Sequence, residues 1–244
     1  MTASTAHPRA LAADLLRGVA LFGILVVNLP FLANTIYVDA AAWTGADAMA
    51  QFVVRLLFEA KFYILFAALF GYGFHGLHTA AVRAATSSGW RYARRLTGLL
   101  GFGVLHATCL FVGDILVSYA ALGAALWWVR DWSDRRLVRA ALAMLGVALV
   151  GRGLLGVGVA LDPTTPTDVA AMHATATAAY RGTFTTALAQ RLDDLIAFYI
   201  FTPLFNWPTM IAAFLLGYLG ARRRILARPG AYWRRHRRAL PWLA

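Results

Sequence analysis

The sequence predicts an all-α protein: a polytopic transmembrane helix bundle of about six spans with amphipathic helices on its outer side. Three observations carry this. The 244-residue chain is 60% hydrophobic, with a mean hydropathy of +0.62, more apolar than a soluble domain. Apolar runs long enough for a bilayer recur along it. Its formal net charge of +12 comes from 22 Arg and one Lys, gathered in short segments between the apolar runs. Cytoplasmic loops carry such clusters, so the lipid bilayer is the implied partner and nucleic acid is not.

The first span covers about 12–33 and opens with "DLLRGVALFGILVVNLP". Asp14 and Arg17 stand at its mouth, and no small-x-small cleavage site follows directly, so it reads as a retained span rather than a signal peptide. An acidic outer loop follows, then an amphipathic stretch at 49–60 with Arg55 and Glu59 four apart on one face. The second span is 61–79, followed by a basic loop from Arg83 to Arg95. Spans three and four, 96–112 and 115–130, are separated only by Gly113-Asp114. A second basic loop carries Arg130, Arg135, Arg136 and Arg139, and the fifth span is 138–161. The Thr/Ala-rich segment 162–190 reads as a long outer loop. Residues 186–205 read as amphipathic, lying along the outer interface or re-entrant, before a last apolar run at 207–221 that ends in Arg222-Arg223-Arg224.

The basic loops alternate consistently for six spans with both termini cytoplasmic. Residues 1–244 then form a single transmembrane domain, with 222–244 as a basic cytoplasmic tail. The second and last spans share a Gly-Tyr pair, Gly71-Tyr72 and Gly217-Tyr218, which hints at an internal repeat.

Ionisable groups in hydrocarbon are expensive and call for a reason. Asp14 and Arg17, three apart, can pair on one helix face. Arg17 and Asn28 are eleven apart, three turns plus about 20°, so they share a face roughly 16 Å apart along the axis. The bland reading of these groups is interfacial snorkelling for the pair and a packing hydrogen bond for Asn28. His106 can act as a proton-transfer group or as a neutral packing partner. Asp114 follows a Gly at a tight turn and can cap the next helix. Lys61, the only lysine, is an interface anchor or a wanted ammonium. Arg152 sits mid-span and needs a partner, with Asp14, Asp114 or a backbone carbonyl as candidates.

By depth, Asn28, Lys61, His106 and Asp114 occupy the outer half, and Asp14 and Arg17 the inner half. One cavity lined by those four and closed below by the Asp14–Arg17 pair is the expectation; separate packing contacts are the alternative. "GYGFHG" at 71–76 matches G-x-G-x-x-G. It lies inside an apolar run, so its glycines read as helix-packing positions, not a dinucleotide loop. Glycines 146, 151, 153, 156 and 158 read the same way. No metal-ligand, P-loop, C-x-x-C or nucleophile-elbow motif appears.

The stretches "DLLRGVALFGILVVNL", "KFYILFAALFGYGF" and "RRLTGLLGFGVLHATCLFVGDILVSYAALG", with "FNWPTMIAAFLLGYLGA" more weakly, resemble the YeiB-like family of bacterial inner-membrane proteins, a domain family of unknown function. Members of that family are usually longer. The family is distantly similar to transmembrane acyltransferases of the heparan-alpha-glucosaminide N-acetyltransferase type, which share an acid followed by Arg-Gly at the start of the first span. The resemblance implies the bacterial cytoplasmic membrane and transfer of an acyl group, with acyl-CoA as the implied donor and a small molecule or glycan as the outer acceptor. It also implies a catalytic His, either where this chain has Asn28 or in the loop before Trp43-x-Gly45, where this chain has Ala40. His106 is then the intramembrane His of the outer half, with Asp114 beside it as the catalytic candidates and Asp14, Arg17, Asn28 and Lys61 as substrate-binding candidates. A permease-like transporter and a non-catalytic membrane scaffold are the alternatives.

Overall fold

The computed structural model describes residues 8–33, 35–37, 43–161 and 166–227. Ala40 and most of the expected outer loop, the start of the 162–190 segment and the tail from 228 onward lie outside the described residues. The described residues form nine α-helices: α1 Pro8–Ala33, α2 Gly45–Leu57, α3 Lys61–Arg83, α4 Ser88–Cys109, α5 Leu116–Val129, α6 Asp134–Leu161, α7 Pro166–Tyr180, α8 Phe184–Phe205 and α9 Trp207–Arg222, then a 3-10 turn, Ile225–Ala227.

The breaks between helices have local causes. Ala60 adopts a left-handed φ of 64° and separates α2 from α3. Ser87 starts α4 by accepting the Trp90 N–H at 3.3 Å. Asp114 Oδ2 accepts the Val117 N–H at 2.8 Å and caps the first turn of α5. Pro208 opens α9, where a missing N–H costs nothing. The 162–190 segment is not the expected loop: its Thr/Ala-rich stretch forms α7 after Pro166. Alanine is the strongest helix former, and Thr175 returns its hydroxyl to the Ala171 carbonyl at 3.0 Å.

The core is the crossing of α3 and α9. Phe70 stacks on Phe214 at 4.8 Å and Phe74 lies 5.5 Å from Tyr218, so the two helices run parallel. A Cβ on Gly71 would collide with the Phe214 carbonyl, and one on Gly217 with the Ala68 carbonyl. Each glycine therefore sits on the backbone three residues before the other, a reciprocal contact of the kind small residues permit. Both helices also begin ten residues before their glycine, at Lys61 and Trp207. The Gly-Tyr pairs noticed in the sequence thus occupy matching places in a two-fold-like crossing.

The remaining helices wrap this pair. Tyr92 and Tyr119 bring α4 and α5 into the same cluster, with the Tyr92 hydroxyl on the Gly123 carbonyl at 2.7 Å and that of Tyr119 on the Tyr63 carbonyl at 3.1 Å. At the end where the basic loops lie, Asp134 takes Arg222 at 3.3 Å and Arg223 at 3.0 Å, tying the start of α6 to the end of α9. At the other end Tyr199 of α8 reaches Asp114.

Among the described residues, two helices are long and apolar enough to cross a membrane, Leu11–Leu32 and Asp134–Gly158. A third follows if α8 and α9, bent by 56° at their junction, count as one. Six crossings go beyond what length and apolarity alone give, because α3 and α4 carry His and Arg and α5 has 14 residues, about 21 Å of helix. The outer faces of α1 and α6 expose Leu15, Phe22, Leu25, Leu149, Val150 and Leu154.

Several expectations change. Gly146, Gly153, Gly156 and Gly158 of α6 meet nothing and are not packing positions. They lie on a helix most of whose apolar stretch is exposed. Arg152 is exposed and pairs with neither Asp14 nor Asp114; its Nη2 donates to the Tyr63 hydroxyl at 3.4 Å. α2 ends at Leu57, so Glu59 leaves the helix face that Arg55 occupies.

Candidate functional site

At one end of the bundle, α4 unwinds after Cys109 and the chain turns through Gly113-Asp114 into α5. This turn brings Asp114 back onto the helix it has just left: His106 Nδ1 lies 2.9 Å from Asp114 Oδ1. The carboxylate is fully buried, whereas the His106 side chain is 38% exposed. Oδ2 takes the Val117 N–H and, more weakly, the Tyr199 hydroxyl at 3.5 Å. Buried carboxylates persist when donors fill their lone pairs, and here they do. With Asp114 holding Nδ1–H, the lone pair of His106 falls on Nε2, the tautomer a general base needs; Nε2 has no hydrogen-bond partner among the described residues.

Beside this pair is a cavity of about 290 Å³. Its wall is mostly apolar, with Asn28, Tyr63, Asp114, Ser118 and Asn206 as polar points. Ser118 is fixed by the Trp207 Nε1–H at 3.1 Å. The structure therefore brings Asn28 and Asp114 to one cavity. His106 stands behind Asp114 and is not on the wall, and Lys61 is also off it, exposed, with its Nζ 3.5 Å from the Glu59 carbonyl.

The pair expected to close the cavity forms elsewhere. Arg17 Nη1 donates to Asp14 Oδ1 at 2.5 Å. The cavity reaches no lower on α1 than Ile24, about 10 Å above Arg17 along the helix, so the pair is not its floor. Instead Arg17 rests on Gly73, where a Cβ would stand 2.9 Å from Nη2 and 3.9 Å from Arg95 Nη1. Arg95 stacks on Phe70 at 4.5 Å and makes no ion pair among the described residues. Two guanidinium groups thus lie near Gly73, and only that of Arg17 is paired with a carboxylate.

Sequence reasoning missed Arg95, Tyr199, Ser118 and a second cluster, around Asp194. Asp194, fully buried on α8, accepts from Tyr37 at 3.1 Å, Tyr180 at 2.7 Å and Gln190 at 2.8 Å. Burial, and then Asp194 itself, raises the Tyr37 and Tyr180 phenols above their ordinary range. The adjoining Asp193-Asp194 in an otherwise apolar run was the one available signal. Among the described residues no three His, Cys, Asp or Glu side chains converge as a metal site.

These features define an all-helical protein of membrane type with a His–Asp pair, its carboxylate buried and its imidazole partly exposed, beside an apolar cavity. Comparison with known proteins adds a family context. The chain is 36% identical over 138 residues to the uncharacterized protein YxaH of Bacillus subtilis, covering 51% of this chain and 33% of that protein. It is 36% identical over 149 residues to the uncharacterized protein YeiB of Escherichia coli, covering 58% and 36%. It is also 36% identical over 111 residues to an uncharacterized Bacillus acidopullulyticus protein encoded beside an amylase, covering 45% and 31%. These relatives support a YeiB-like family, and the chain spans about a third of the length of each. No family model and no solved structure matches.

Proposed function

We propose that this chain is a six-span protein of the bacterial cytoplasmic membrane, with both termini cytoplasmic, that moves an acyl group from an inner donor to an outer small-molecule or glycan acceptor. The observation that supports it best is the His106–Asp114 contact beside a mostly apolar cavity. An acceptor hydroxyl or amine attacks the acyl carbonyl of a thioester. Its proton passes to His106 Nε2, Asp114 steadies the imidazolium, and the proton leaves on the departing thiol. Arg17 and Arg95 supply the guanidinium pair for the phosphates of a donor such as acyl-CoA. The test is labelled acyl-CoA supplied to the inner side of vesicles holding the full chain. Labelled acceptor should appear outside, and His106→Ala or Asp114→Asn should lower its rate by about a hundredfold at normal abundance. Absence of acylated product across acceptor classes overturns the reading.

One observation favours the permease reading. α8 and α9 break by 56° at Asn206, which lines the cavity, and helices broken at a binding site are a transporter device. Uptake of an unaltered compound, abolished by Asn206→Leu with no covalent product, decides for it.

A further inference from the structure

A second cavity, of about 300 Å³, lies next to the first. Its lining differs in kind: His173, Thr177, Tyr180, Arg181 and Arg191 come from α7 and α8 and the turn between them, and no carboxylate is on it. Asp194 lies behind Tyr180, its oxygens already taken by Tyr37, Tyr180 and Gln190. Arg191 is held in place, donating to the Thr108 and Cys109 carbonyls at 3.2 and 2.8 Å and lying 5.5 Å from the Tyr180 ring centroid. Arg181 and His173 have no hydrogen-bond partner among the described residues. Such a lining suits an anion with several acceptor oxygens. Phe31, Ile36 and Phe111 line both cavities, so the basic space adjoins the apolar one.

We infer that the outer end of the molecule binds a membrane amphiphile with one hydrocarbon chain and an anionic head, the head among Arg181, Arg191 and His173 and the chain in the apolar cavity beside Asn28. A free anion gains nothing from the apolar space, and an uncharged chain gains nothing from the arginines. A ligand joining both obtains the chain's burial and the head's ion pairs in one event. The claim concerns binding and stands whichever reaction follows.

The test uses the full chain in nanodiscs of zwitterionic lipid, with empty discs as the partition control and dodecyl phosphate as the probe. Dodecyl phosphate should bind at least tenfold more tightly than dodecanol or inorganic phosphate. Arg181→Gln should weaken dodecyl phosphate about tenfold, the scale of one charge-assisted contact, without changing dodecanol. Arg181→Lys should recover most of the loss, which shows that charge and not folding was removed. Val27→Phe, which fills the apolar cavity, should weaken dodecyl phosphate and dodecanol alike. Inorganic phosphate binding as tightly as dodecyl phosphate overturns the inference, as does an unchanged dodecyl phosphate affinity in Arg181→Gln.

Discussion

At the residue scale, the polar groups of the first helix divide between two places. Asn28 lines the cavity beside Asp114, while Arg17 lies against Gly73 beside Arg95, farther down the helix. The spacing of eleven placed both on one face correctly, yet could not show that the cavity ends between them. If Arg17 forks onto a donor phosphate, Arg17→Lys keeps the charge and loses the paired geometry. Acyl transfer should then fall about tenfold or more while membrane abundance stays normal; a loss of abundance instead identifies a structural pair with Asp14. His106 and Asp114 were read from the sequence as separate groups of one cavity; their direct contact, across eight residues and one tight turn, came only with the structure. Tyr199 was not legible at all, because it reaches Asp114 across 85 residues of chain. Tyr37 and Tyr180 yield a pH dependence. Their phenols are raised in the folded state, so the stability they contribute is present below the unfolded value of about 10 and is lost as pH rises above it. Thermal melts should decline above about pH 10, and more shallowly in Tyr37→Phe. That variant should also lose about 1 kcal/mol at neutral pH with its hydrogen bond to Asp194.

At the element scale, helix existence was legible from apolar runs and basic punctuation, and the start of the last helix was marked by Trp207-Pro208. α7 was not, because its threonines and alanines lack an apolar stripe and the stretch reads as loop by composition. The glycines show how little composition says about packing. Gly71 and Gly217 each meet a carbonyl of the other helix, whereas Gly153 meets nothing. Gly71→Ala or Gly217→Ala must push α3 and α9 apart through the centre of the core, and backbone cannot yield as a side-chain tip can. Each should remove most folded protein from detergent extracts, measured by size-exclusion recovery. Gly153→Ala should leave recovery unchanged or raise it slightly, since Ala in an open helix position gains roughly 0.5–1 kcal/mol over Gly. Equal recovery for all three variants would show that the α3–α9 crossing is not close.

At the scale of the whole molecule, the ionisable groups fall at two ends of the bundle. His106, Asp114 and Arg191 share the end where α4 meets α5 and α8. Arg17, Arg95, Asp134 and Arg222 share the other, next to the basic loops at 83–95 and 130–139. Length and apolarity alone assign two or three crossings. Six follow only when this sorting is joined to the rule that Arg-rich short loops stay in the cytoplasm. The two accounts differ at Ser87 and Thr175. With six crossings Ser87, between α3 and α4, is cytoplasmic, and Thr175, on α7, is outside. The chain has one native thiol, the exposed Cys109, so Cys109→Ser supplies a clean background. In that background Thr175→Cys should react with a membrane-impermeant maleimide on intact cells. Ser87→Cys should react only after permeabilisation. If α1 and α6 alone crossed, Ser87→Cys would react on intact cells and Thr175→Cys would not. The inner site at Arg17 and Arg95 would then have no access to a cytoplasmic donor, so this labelling tests the topology and the acyl-donor reading together.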